Sequence, residues 1–194
     1  MRANEKTRRL TGLALLTAII IVLQVVASFV KFGPFSITLA LAPIIIGAAL
    51  YGASAGAWLG GVFGVVVFIA CVAGWDVGGN ILFTANPFLT CVLCIVKGAL
   101  AGLVAGVAFR AIEGRSPMAA SITAGVLCPV VNTGIFCIGL TLFFHDTLVA
   151  WAGGTDLVYY IIFGLTGVNF LLELAINLVL STVIVRVVGA RKHA

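Results

Sequence analysis

The feature that most constrains this chain is the length of its uninterrupted apolar runs. Leu10 to Val30 holds no charged residue, and neither does the whole stretch between Lys31 and Asp76. A helix needs about 20 apolar residues to cross a hydrocarbon core of roughly 30 Å. A transmembrane barrel would instead show segments of about ten residues with alternating polarity. The runs here are continuous, so they predict membrane helices. Charge supports this, because only 9% of residues are charged against about 25% in soluble domains. Of the 11 basic and 6 acidic residues, seven lie within residues 1–9 and 191–192. A soluble enzyme, a nucleic-acid-binding module and a disordered tail are excluded.

Six spans are predicted, at about 10–30, 37–50, 54–73, 87–110, 118–144 and 157–188, forming one all-α membrane domain over residues 1–194. The second is short. Basic residues stay on the cytoplasmic side, and Arg2, Lys6, Arg8, Arg9, Arg110, Arg115, Arg186, Arg191 and Lys192 fall on one side of this topology. Lys31, Asp76, Asp146 and Asp156 fall on the other. Both termini are therefore expected in the cytoplasm, and the net charge of +5 reports topology, with no nucleic-acid partner needed. The start looks like a signal peptide, but its apolar run is long and no clear small-residue cleavage site follows. It is expected to remain as the first helix.

Glycines recur at helical spacing. Gly56, Gly60 and Gly64 share one face of the third span, and Gly98, Gly102 and Gly106 share one face of the fourth. Such stripes let helix backbones approach closely. Ala14 and Ala18 repeat the spacing in the first span, where an external partner competes with internal packing as the explanation.

Two ionisable residues lie deep in spans, a placement that by default suggests function. Lys97 is 13 residues from Arg110, and Glu173 is 13 residues from Arg186. At 1.5 Å per residue both lie about 20 Å above the cytoplasmic edge. Asn132 falls at a similar level, and Thr166, Asn169, Glu173 and Asn177 form a polar stripe on the last span. These groups read either as a buried Lys97–Glu173 pair bracing the bundle or as a ligand pocket, and the pocket is preferred. The outer connections add Trp75, Asn80 and Asn86 as candidate substrate contacts, although Trp75 also suits an interfacial anchor. The inner connections are very short.

Catalytic machinery is absent from the pattern. No Ser–His pair or aspartate pair lies within spans, and there is no P-loop or dinucleotide fingerprint. No catalytic residue and no cofactor are expected. Cys91 and Cys94 form a C-x-x-C, but no second ligand pair or histidine lies nearby to complete a metal site. The cysteines read as small apolar packing residues.

At this point the chain resembles the substrate-binding S components of energy-coupling factor (ECF) vitamin transporters. The resemblance is carried by Ala14-Leu15-Leu16-Thr17-Ala18, and by Phe35-Ser36-Ile37-Thr38 through Pro43 to Tyr51-Gly52. It continues through Gly56 to Gly64, Lys97 to Gly102, Pro129-Val130-Val131-Asn132-Thr133-Gly134 and Asn169-Phe170-Leu171-Leu172-Glu173. It implies a subunit of a prokaryotic cell membrane that captures a vitamin from outside. A membrane-embedded coupling subunit and two ATPase subunits would drive uptake, so the chain itself is not expected to be an enzyme. It also implies that Ala14 and Ala18 dock the membrane partner. Pantothenate is the favoured vitamin, because Lys97 suits its carboxylate while Asn132 and Asn169 suit amide and hydroxyl groups. Riboflavin stacked on Trp75 or nearby phenylalanines is the alternative, and an autonomous permease or a structural membrane partner are other classes.

Overall fold

A computed structural model describes the backbone of residues 2–29, 31–32, 35–36 and 38–192, and the side chains of all of these except 2–4, 31–32, 35–36, 166, 168–169, 181 and 184–192. Apart from a two-residue ladder, β1 (Lys31–Phe32) against β2 (Phe35–Ser36), the regular structure is helical. The helices are α1 (Arg2–Ala27), α2 (Leu41–Tyr51), α3 (Ala53–Val72), α4 (Val77–Ala85), α5 (Pro87–Ile112), α6 (Pro117–Phe143), α7 (His145–Ala152), α8 (Leu157–Tyr159) and α9 (Gly167–Lys192). A π-helical stretch over Tyr160–Thr166 joins α8 to α9.

Among the described residues, four helices are long and apolar enough to cross a membrane, namely Glu5–Ala27, Ala53–Val72, Pro87–Ile112 and Pro117–Phe143. A fifth candidate, His145–Ala152 with Leu157–Leu165, is bent by 89° at its break. With 11 residues, α2 reaches only about 16 Å, so the short second run does not cross the core as a straight helix alone.

The starts of α5 and α6 have a local cause. Asn86 caps α5 by accepting from the Leu89 N–H at 3.0 Å, and Pro87 takes the first helical position. Ser116 and Pro117 do the same for α6, with the Ala119 N–H at 3.2 Å. Proline is tolerated there because its missing N–H would be unpaired anyway. The segment between the third and fourth runs, expected to be a turn-rich loop, instead contains α4. Asp76 caps it by accepting from the Gly79 N–H at 2.7 Å. Gly79 is needed for contact, since a Cβ there would collide with the Cys71 sulfur. The connection after α6 likewise folds into α7.

The glycine stripes meet each other. A Cβ added at Gly56 or Gly60 would strike the carbonyl oxygen of Gly102 or Gly98, and one at Gly64 would strike that of Cys94. Backbone therefore lies on backbone along α3 and α5. Around this seam Ile20, Ile44, Ile45, Leu59, Phe63 and Phe109 form a fully buried core. At one end Arg9 donates to the Tyr51 carbonyl at 3.4 Å, and the Arg110 guanidinium lies against Gly52, whose φ of 99° turns α2 into α3. A second apolar cluster, including Leu82, Leu93, Leu140 and Leu165, occupies the other end.

Candidate substrate cavity

Between the two clusters lies a cavity of about 80 Å³, walled by residues of α1, α3, α4, α5, α6 and α9 and by Thr38. A space of that size admits several water-sized groups. Lys97, Asn132 and Glu173, which helical rise put at similar heights, all line it. Lys97 and Glu173 close no direct ion pair among the described residues, although the ammonium remains within electrostatic reach of the carboxylate. The Lys97 ammonium sits 4.7 Å from the centroid of the Phe136 ring, within the range of a cation–π contact. Glu173 is within hydrogen-bonding reach of Thr38, while its other oxygen, Oε2, has no partner among the described residues.

Asn132 is 4% exposed, and its Oδ1 likewise lacks a partner. Gln24 of α1 is also 4% exposed, lines the same wall and leaves its Oε1 unpartnered among the described residues. A buried acceptor without a donor costs about 1–3 kcal/mol. Three residues carrying such oxygens line one cavity together with an ammonium, a set suited to a solute bearing donors and an anionic group. Phe136 and Phe170 supply aromatic surface.

The other sequence candidates lie elsewhere. Trp75 is not in the wall and packs on Phe29, with ring centroids 5.5 Å apart. Asn80 donates from Nδ2 to the Cys71 carbonyl at 2.9 Å, tying α4 to the end of α3. Asn86 is spent on the α5 cap. The Asn169 side chain lies outside the described residues. Five polar wall residues were not anticipated as contacts: Gln24, Thr38, Asp76, Thr90 and Thr133. Gln24 was within reach of sequence reasoning, because it lies 15 residues beyond Arg9, about 22 Å along the helix, level with Lys97 and Glu173. The C-x-x-C is not a unit. Cys94 lines the cavity together with Cys71 of α3, and Cys91 does not.

Ala14 and Ala18 are exposed on the outside of α1, one turn apart.

A family model described as "ECF transporter, substrate-specific component" matches residues 8–185. Among solved structures, the chain is similar to ThiT from Listeria monocytogenes, with 16% identity and a TM-score of 0.66 over 95% of this chain and 98% of that one. At this identity the likeness speaks for the fold. A search of curated proteins found no significant match.

Proposed function

This chain belongs to the substrate-specific components of ECF transporters, and from that premise we propose that its cavity captures pantothenate for ATP-driven uptake. The observation that carries the reading is an ammonium held only against an aromatic ring among the described residues, in a cavity wall shared with three residues whose buried oxygens have no hydrogen-bond partner among them. Pantothenate offers a carboxylate for Lys97, and two hydroxyls with one amide N–H for Gln24, Asn132 and Glu173. Asn169, from the same helix as Glu173, is assigned to the site on its position in the polar stripe. Asn80 and Asn86 act on the site by holding α4 and α5, and Trp75 by packing at its outer side. Riboflavin is the second reading, supported by Phe136 and Phe170 in the wall.

In this reading the chain is one six-span unit of a prokaryotic plasma membrane, with both termini cytoplasmic and the cavity in the outer half. The short α2 and the bent α7–α8 segment complete their crossings with flanking residues. Hydrolysis of ATP takes place on two partner subunits, reached through a membrane-embedded coupling subunit. Ala14 and Ala18, exposed and on one face, form the contact for that subunit, since small residues permit close helix approach.

Native mass spectrometry of the purified subunit, offered pantothenate and riboflavin together, tests the capture. A retained adduct of pantothenate mass is expected, and a riboflavin adduct would move the assignment to the second reading. The docking role has its own test. Ala14→Trp should leave ligand affinity intact in the isolated subunit and abolish ATP-driven uptake by the full complex. Loss of both would return this face to internal packing, and solute uptake by the isolated subunit in vesicles would favour an autonomous permease.

A further inference from the structure

We infer that Gln24 is a substrate contact, and that through it α1 responds to whether the cavity is filled. This rests on the capture reading above and concerns how the same site is sensed. Among the described residues, Gln24 is the one α1 residue in the cavity wall. Its backbone is held in place, because the Ser28 N–H and hydroxyl both donate to its carbonyl, at 2.9 and 2.8 Å. Its side chain is buried, faces the cavity and has an oxygen with no donor among the described residues. A hydroxyl or amide N–H on the solute is the chemistry that satisfies it.

The helix that carries Gln24 is also the least embedded of the four long spans. In α1, 17% of the most apolar stretch is buried, against 28% to 50% in the other three. It exposes Ala14 and Ala18 below Gln24. A helix held weakly by packing gains proportionally more from one added hydrogen bond than a helix held on several sides. Solute binding thus fastens the docking helix to the α5, α6 and α9 walls, so that a filled subunit presents a more ordered α1 than an empty one. A ligand that rigidifies a segment changes the cost of the next binding event on that segment.

The test uses the intact subunit and an equimolar mixture of the water-soluble vitamins as the probe. Native mass spectrometry reads the adduct, thermal unfolding reads stability, and hydrogen exchange reads order in α1. Gln24→Met keeps the length without the oxygen, and Gln24→Leu serves as a second variant. Both should bind the adduct-forming vitamin at least tenfold more weakly, about 1.4 kcal/mol, with the empty subunit's Tm unchanged or raised. At saturating vitamin, slowed exchange in residues 10–27 should appear in the wild type and be lost in the variants, while α5 and α9 remain protected in both. Equal affinity, or α1 protection that survives in both variants, would overturn the inference. A Tm that falls along with affinity would make Gln24 a structural residue and overturn it too. Absence of any adduct on the wild type would instead overturn the capture reading and this inference with it.

Discussion

The two ends of the α3–α5 pair behave oppositely, although the same two helices build both. From Gly56 to Gly64 on one and Cys94 to Gly102 on the other, backbone touches backbone. Beyond Gly64, the face of α3 carries Val67 and Cys71, and α5 answers with Thr90 and Leu93; these four side chains line the cavity, joined by Cys94 and by Lys97 at the edge of the seam. Side chains replace hydrogen atoms, the helices are held apart, and the space collects unpaired polar atoms. A site is thus made where the glycine stripe stops. The closed end supplies the rigid reference against which the open end keeps its shape.

The strongest way to break this comparison is to put a side chain into the seam. Gly60→Leu would drive a Cβ into the Gly98 carbonyl, which is main chain and has no rotamer to yield. Overpacking of this kind costs about 1–3 kcal/mol and sometimes more. We expect the upper end, read as a large fall in Tm with loss of ligand binding. A normal Tm would show that the seam is softer than backbone contact implies.

At the open end the expected effects fall on binding and leave the fold alone. Lys97→Met should weaken binding by roughly 1.5–3 kcal/mol, the range for a hydrogen bond to a charged group, without lowering Tm. Calorimetric titration in detergent checks it, and unchanged affinity would return Lys97 to its contact with Phe136. Asn132→Leu should cost at least tenfold in affinity, about 1.4 kcal/mol, again without unfolding. The smallest effect sharpens the contrast best. Gly61 neighbours Gly60 on α3 but has nothing near the position of a Cβ. Gly61→Ala should therefore be neutral or stabilising by up to about 1 kcal/mol, the helix-propensity difference between the two residues. A large destabilisation there would mean that the position is covered in the membrane.

How much of the site could be read from sequence depends on which coordinate of a residue is asked for. Depth was legible. Counting 13 residues from Arg110 and from Arg186 put Lys97 and Glu173 on one level, and both do line one cavity. Azimuth and local duty were not. Asn80 and Asn86 have the right chemistry and the right end of the molecule, yet both are occupied by main-chain groups. A short polar side chain beside a helix start serves the backbone as readily as a ligand, and nothing in composition separates the two. Gln24 was overlooked for the reverse reason, as a lone amide in an apolar run with no stripe to draw attention to it.

The sequence by itself determined the solvent and the all-helical class, and set the relative heights of Lys97 and Glu173 along their helices. These follow from run length, charge placement and a fixed rise per residue, all local quantities. Only the tertiary structure decided which faces meet. It paired the glycines of α3 with those of α5, left Ala14 and Ala18 open at the same spacing, folded α4 over Cys71 and set Lys97 against the Phe136 ring. Rotation about a helix axis is set by the neighbours that fill each groove, and those neighbours are distant in the chain.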